Sequence, residues 1–152
     1  MTRVAIGGDS SSVFSEEIVR HLQAKGYELV SCGAQAERGG DYVDAASEVA
    51  ALVSSKKCEY GVLFCNTGTG VSIVANKFFG VRAAMCYDTY SAEISKLANN
   101  ANVIVLSVRY TGLTLAKEIV DRWFATQPSE EPRRINFHRK TDDIDRANLI
   151  AP

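Results

Sequence analysis

The chain has 152 residues, of which 46% are hydrophobic and 23% are charged, and its formal net charge is −1. This length suits one domain that buries about two-thirds of the surface exposed by its unfolded chain. The near-neutral charge gives no electrostatic case for nucleic acid, and no apolar run approaches the roughly 20 residues of a membrane span. The N-terminus lacks the basic and apolar regions of a signal peptide, so we expect a cytoplasmic protein.

Metal-dependent chemistry is not indicated by the composition. The four cysteines show no C-x-x-C spacing, and the only two histidines, His21 and His138, lie far apart in the sequence. These patterns predict neither a zinc site nor a disulfide framework. We therefore expect a protein that works without a metal or an organic cofactor.

Strand and helix patterns alternate along the chain. Five short apolar runs are typical of strands, at residues 3–7, 27–32, 61–64, 81–85 and 103–106. Each is followed by apolar residues at helical spacing, at residues 12–25, 44–55, 71–77, 89–98 and 113–123. The alternation predicts a three-layer, Rossmann-like α/β domain with a parallel sheet, spanning residues 1–126.

The last part of the chain has a different character. Residues 127–132 (Q-P-S-E-E-P) break the alternation, and residues 133–146 are polar and highly charged. Such a tail is either disordered or docked on another surface. We therefore distinguish a polar C-terminal arm, residues 127–152, from the α/β domain.

The most informative stretch joins the third strand to the third helix. Cys65 ends the strand, and N-T-G-T-G follows before apolar residues resume. Gly68 and Gly70 lack Cβ atoms, so a ligand can approach the backbone, and the unpaired N–H groups of the next helix favour an anion. The structural alternative is that glycine turns are common in α/β proteins and that a cysteine at a strand end is often a small hydrophobe.

Three related patterns are excluded or disfavoured. A phosphate-binding G-x-x-x-x-G-K-[ST] loop is absent, because no Gly-Lys-Ser/Thr occurs here. A cysteine phosphatase needs an arginine six residues after its thiol, where this chain has Val71. A phosphoryl receiver needs an aspartate and a lysine where this chain has Cys65 and Ser107.

The sequence C-N-T-G-T-G-V-S-I-V-A-N-K (65–77), followed by G-V-R-A-A-M-C-Y-D-T-Y-S-A and N-N-A-N-V, resembles the type B ribose-5-phosphate isomerase family. This family also includes galactose-6-phosphate and allose-6-phosphate isomerases, and the resemblance extends from Val4 to about Trp123. It implies a five-stranded sheet of order 2-1-3-5-4. It also implies an aldose–ketose isomerase of a small phosphorylated sugar, nominally ribose 5-phosphate. The expected assembly is a homodimer or a dimer of dimers whose sites combine two subunits, with the tail of one reaching the other.

An aldose–ketose isomerase needs a base that moves a proton between adjacent carbons and a site for the charge of the enediolate. The resemblance implies that Cys65 is the base, and the helix that follows favours its thiolate. The amides of residues 68–72 are expected to bind the enediolate. The resemblance assigns ring opening to Thr67 and contact with the enediolate to Asn99. A subgroup of the family has a glutamate at the position of Val71, so Cys65 is the only candidate base in this loop.

Binding of the phosphorylated substrate is assigned mainly by the resemblance. Arginine suits phosphate because its planar guanidinium binds two oxygens at once. Arg109 matches a phosphate-binding arginine of the family, and the spacing of the tail does not decide which of its arginines acts. The tail candidates are Arg133, Arg134 and Arg139. The other predicted substrate contacts are Asp9, Ser10, Tyr42, Asn66, Gly68, Thr69, Gly70 and Ser72.

Histidines of the family pattern are replaced in this chain. Ser10 and Ala98 stand where the family has histidines linked to phosphate contact and ring opening, and Tyr87 replaces a third. A tetrose 4-phosphate cannot close a furanose through its blocked oxygen and needs no ring opening. We therefore hypothesise a preference for short or open-chain sugar phosphates. The alternatives are another sugar phosphate, of the allose or galactose type, and a non-catalytic flavodoxin-like binding module.

Overall fold

The computed structural model describes residues 1–152. The elements follow in the order β1 (Arg3–Gly8), α1 (Val13–Ala24), β2 (Glu28–Gly33), a 3₁₀ turn (Ala34–Ala36), α2 (Tyr42–Ser54), β3 (Tyr60–Cys65), α3 (Thr69–Ala75), β4 (Ala83–Met85), α4 (Thr89–Leu97), β5 (Val103–Ser107), α5 (Leu113–Ala125) and α6 (Pro132–Asn148). None of the helices is long and apolar enough to cross a membrane.

The sheet has the predicted topology. Its five strands pair in the order β2-β1-β3-β5-β4, and every pair is parallel. Both the parallel α/β class and the order implied by the resemblance are confirmed. The direction of winding reverses between β1 and β3, and a crevice outside the carboxyl ends of the strands is expected at such a point.

The core lies on both faces of the sheet. One buried cluster joins α1, α4 and α5 to the sheet and includes Ile18, Ile119 and Trp123. The other joins α2 and α3 to the opposite face and includes Val49 and Val71. The three layers place the start of the short helix α3 at the carboxyl edge of the sheet, close to the predicted site.

Helix α4 buries a residue that the periodicity did not indicate. The apolar residues Ile94 and Leu97 are only half-buried, whereas Lys96 is 3% exposed. The ammonium nitrogen of Lys96 lies 3.6 Å from the ring centre of Tyr60 and 4.1 Å from that of Trp123. Burial lowers the pKa of Lys96 to about 7, while the two aromatic faces favour its charged form.

The C-terminal arm is a helix rather than an irregular tail. Pro132 occupies the first turn of α6, where its missing N–H costs nothing. No residue of α6 is buried, yet three polar contacts attach it to its own chain. Asp142 pairs with Arg82 at 3.3 Å, Asp145 accepts the Gly80 N–H at 2.9 Å, and His138 Nε2 donates to the Ala98 carbonyl at 2.8 Å. Docking of this arm on a partner subunit stays a prediction.

Candidate active site

Cys65 is the last residue of β3 and lies at the carboxyl edge of the sheet, half-buried. The loop after it is tied to the loop after β5. The Val108 N–H donates to the Cys65 carbonyl at 2.9 Å, and the Arg109 N–H donates to the Asn66 carbonyl at 3.1 Å. Ser107 Oγ donates to the same Asn66 carbonyl at 2.8 Å. The position of the thiol is therefore fixed by two neighbouring strands.

Gly68 makes the sharp turn that starts α3. Its φ is 90°, in the left-handed region, and a Cβ atom there would lie 2.2 Å from Met85 Sδ and 3.1 Å from Val105 Cγ1. Only glycine combines this conformation with this approach. The turn lets α3 begin at Thr69, two residues earlier than the apolar pattern indicated.

The start of α3 offers polar groups without protein partners. The hydroxyls of Thr67 and Thr69 are 2.8 Å apart, and the Thr69 N–H donates to Thr67 Oγ1 at 3.4 Å. The N–H groups of Gly70 and Val71 have no acceptor in the protein. The hydroxyl of Ser72 is buried and also unpartnered. Residues 67–72, which we call the amide cradle, can therefore donate several hydrogen bonds to an anion beside Cys65.

Three further predicted residues lie at the same edge of the sheet as the amide cradle. Gly8 pairs with Phe64, so Asp9 and Cys65 leave the sheet side by side. Ser10 follows Asp9 and is exposed. Tyr42, the first residue of α2, lies over Gly70, because a Cβ there would be 2.8 Å from Tyr42 Cε2.

Arg109 extends from the loop after β5 at the same edge. Its side chain is exposed and forms no hydrogen bond or ion pair within the chain. A free guanidinium at this edge of the sheet is available for a phosphate group. The carboxyl edge thus brings together the predicted residues of β1, α2, β3, α3 and β5.

Asn99 lies at the opposite edge of the sheet. Helix α4 starts after the carboxyl end of β4 and runs back to the point where β5 begins, so Asn99 and Cys65 lie at opposite ends of the sheet. A strand of five or six residues separates these edges by roughly 16–20 Å. A single chain therefore does not bring Asn99 to Cys65. Asn99 instead lines a groove of about 460 Å³ together with His138.

The tail arginines are also far from Cys65 in the same chain, because α6 docks at the amino edge. Arg134 pairs with Glu131 at 3.5 Å, and Arg139 pairs with Asp143 at 2.9 Å. Arg133 has no acid partner, and its guanidinium carbon lies 5.5 Å from the centre of the Phe137 ring. Arg133 is therefore the tail candidate whose charge is least compensated.

The other three thiols are unsuited to chemistry. Cys32, Cys58 and Cys86 are at most 1% exposed. Burial raises the pKa of Cys32 and of Cys86 to about 11, and it raises that of Cys58 as well. Cys65 is the one thiol that solvent reaches.

Sequence reasoning missed residues that support the site without belonging to a motif. Gly68 packs against Met85, which belongs to β4, and β4 is not adjacent to β3. No sequence pattern indicates this contact. His138 binds the backbone next to Asn99, 40 residues away in the chain. Both contacts join distant segments, which periodicity does not report.

The fold and the site define a class: an α/β protein with a reachable thiol and a cradle of unpartnered amides at the switch point of its sheet. The model of the family described as "Ribose/Galactose Isomerase" matches residues 4–140. Ribose-5-phosphate isomerase B of Escherichia coli is 41% identical over 128 residues, which cover 84% of this chain and 86% of that protein. D-erythrulose-4-phosphate isomerase of Pectobacterium atrosepticum is 41% identical over 125 residues, covering 81% and 82%.

A solved structure agrees with these sequence matches. The type B ribose 5-phosphate isomerase of Trypanosoma cruzi superposes with a TM-score of 0.88 at 39% identity, covering 97% of this chain and 99% of that one. The chain belongs to the ribose/galactose isomerase family. It is a sugar-phosphate aldose–ketose isomerase, as the resemblance implied.

The contact of Gly68 with Met85 yields a prediction with an internal control. Gly68→Ala combines a left-handed alanine, which costs about 1–2 kcal/mol, with a clash that displaces the amide cradle. Gly80→Ala carries the same kind of strain at φ 70° but meets no atom within 4 Å. We expect both variants to lose stability in urea unfolding. Only Gly68→Ala should lower kcat/KM, by about 10²-fold or more, because the cradle moves. Equal activity of the two variants would contradict the assigned role of Gly68.

Proposed function

We propose that the protein interconverts the aldose and ketose forms of a four-carbon sugar 4-phosphate, with Cys65 as the base. The observation that carries this proposal is the accessible thiol of Cys65 at the carboxyl end of β3, together with the unpartnered N–H groups of Gly70 and Val71 in the first turn of the next helix. A base and an anion site at one point are what proton transfer through an enediolate requires. We also propose that it works in the cytoplasm as a homodimer.

The reaction needs one proton to leave C2 of the aldose and one to reach C1. The Cys65 thiolate removes the C2 proton while the carbonyl oxygen at C1 gains negative charge. The amide cradle stabilises this oxygen, and each lost donor costs about 2.7–4 kcal/mol of barrier in comparable sites. A proton passes from the C2 hydroxyl to O1, and the Cys65 thiol then returns its proton to C1. Arg109 holds the phosphate during these steps.

We expect Cys65→Ala to lower turnover by about 10²–10⁴-fold, because no other base lies in the loop. Cys86→Ala is the matched control, since that thiol is buried on the face of the sheet opposite to α3. Exchange of the C2 hydrogen in deuterated water measures the proton transfer directly and distinguishes an enzyme from a binding module. Iodoacetamide should modify Cys65 first, and bound substrate should slow this reaction. A Cys65→Ala protein with near-normal turnover would refute the assignment of Cys65 as the base.

The position of Asn99 supports a site shared by two subunits. Asn99 and Cys65 lie at opposite edges of one sheet, so both reach one substrate only if Asn99 comes from a partner. Arg133 lies on α6 at the same edge as Asn99, and its charge has no acid partner. We propose that the amino edge of one subunit, with Asn99 and Arg133, covers the amide cradle of the other.

Mixing two inactive variants tests this assembly. A heterodimer of Cys65→Ala and Asn99→Ala has one site with both wild-type residues, so an equimolar mixture should regain about a quarter of wild-type activity. A mixture of Cys65→Ala and Thr67→Ala is the control, because both changes lie at the same edge and every site stays defective. Subunit exchange is verified by light scattering and mass spectrometry. If exchange occurs and neither mixture regains activity, Asn99 does not act across the interface.

The proposal of a tetrose substrate rests on the lack of a free acid or base that could open a sugar ring. Ser10 and Ala98 offer no acid or base at the positions of the family histidines. His138 lies near Asn99, but its Nε2–H is used by the Ala98 carbonyl. A relative with 41% identity is named for erythrulose 4-phosphate, an open-chain substrate. These observations together favour a substrate that has no ring to open.

We expect kcat/KM for erythrose 4-phosphate to exceed that for ribose 5-phosphate by about 10-fold or more, since positioned acid–base groups contribute about 10²–10⁴-fold to ring opening. Ala98→His should improve turnover of ribose 5-phosphate and leave that of erythrose 4-phosphate unchanged. A clear preference for ribose 5-phosphate that is lost in His138→Ala would instead identify His138 as the ring-opening group and refute the tetrose.

A further inference from the structure

The outer edge of β4 is closed by a side chain instead of a strand. β4 is the last strand of the sheet, so the backbone groups on its outer side have no neighbour. Asn76 Oδ1 accepts the Ala83 N–H at 2.8 Å, and Asn76 Nδ2 donates to the Ala83 carbonyl at 2.9 Å. The amide of Asn76 thus forms both hydrogen bonds that a paired strand would form with Ala83.

The same side chain is joined to the helix that carries the amide cradle. Asn76 is the C-cap of α3, and its Nδ2 also donates to the Ser72 carbonyl at 3.0 Å. At the other end of α3, the N-cap Gly68 packs against Met85. Ala83 and Met85 are the first and last residues of β4, so both ends of a seven-residue helix are attached to one short strand.

We propose that Asn76 is a positioning residue for the isomerase reaction, acting through α3 and without contact with the substrate. By attaching the C-terminal end of α3 to β4, it fixes the axis of the helix and hence the direction of the Gly70 and Val71 N–H groups. This inference rests on the proposed function of the amide cradle. In this inference, β4 supports the helix whose first amides form the anion site.

The physical reason is the short length of α3. A helix of two turns has few internal hydrogen bonds, so its orientation depends on what holds its ends. Catalytic hydrogen bonds lose much of their effect when the reacting geometry shifts by about 1 Å, which costs about 10²-fold in rate. Because the enediolate binds the amides more strongly than the substrate does, loss of alignment should lower kcat more than it raises KM.

Asn102 provides a matched control. Its Nδ2 donates to the Gly80 carbonyl at 2.8 Å, and its Oδ1 accepts the Arg82 N–H at 2.7 Å. Asn102 therefore accepts from a backbone N–H and donates to a backbone carbonyl just before β4, as Asn76 does at Ala83, but it has no hydrogen bond to α3. Removing either amide removes the same kinds of hydrogen bond.

The experiment compares Asn76→Ala with Asn102→Ala. Both should lower the midpoint of urea unfolding to a similar extent. Only Asn76→Ala should lower kcat, by about 10–100-fold, with KM changed less than about 3-fold. Amide hydrogen exchange at Ser72, whose N–H donates to the Gly68 carbonyl at 3.2 Å, should quicken in Asn76→Ala alone.

The conservative variant Asn76→Asp adds a readout that a purely structural role would not move. Its carboxylate keeps the acceptor for the Ala83 N–H but loses both donors. Its kcat relative to wild type should rise as the pH falls and the carboxyl group gains a proton that it can donate. Equal kcat values for Asn76→Ala and Asn102→Ala, or unchanged exchange at Ser72, would overturn the inference. A wild-type protein that is inactive on every sugar phosphate would refute the proposed function. Amide exchange at Ser72 would in that case still test whether Asn76 holds α3 in place.

Discussion

The contact between Gly68 and Met85 is the constraint on which the site depends. β3 and β4 are separated by β5, so the loop that leaves β3 must cross β5 before α3 can rest on β4. Gly68 makes this crossing with its backbone against Val105 of β5 and Met85 of β4. A side chain at this position would lift the loop from the sheet. The close approach keeps Cys65, Thr67 and the first amides of α3 at the same edge of the sheet.

The parallel sheet has a second consequence, which concerns assembly. Every helix that connects two parallel strands returns to the amino edge, so residues at the start and at the end of such a helix lie far apart. Cys65 and the amide cradle belong to the carboxyl edge, whereas Asn99 and α6 belong to the amino edge. An enzyme of this fold that uses residues from both edges needs two chains, and the polar helix α6, with no buried residue, is suited to a surface between them.

The chemistry follows from the different surroundings of similar groups. Cys32 and Cys86 are buried, and burial raises the pKa of both thiols. Cys65 is the thiol that solvent reaches. Arg134 and Arg139 are paired with acids, whereas Arg109 and Arg133 are free for an anionic substrate. The replacement of family histidines by Ser10 and Ala98 removes imidazoles but leaves the thiol and the cradle intact. The reaction type of the family is therefore retained.

Local patterns in the sequence were sufficient for the alternation of strands and helices, the parallel sheet, and the loop after Cys65. Each of these depends on neighbours in the chain: apolar runs, helical periodicity and glycines at a turn. The strand order came only through resemblance, because pairing joins segments far apart in the sequence. The structure alone placed Asn99 at the far edge, folded the arm as α6 and buried Lys96 between Tyr60 and Trp123. Periodicity indicates which side of an element faces inward, but it does not indicate which distant residue packs against that side. For that reason only the tertiary structure revealed the support that Met85 and Asn76 give to the site.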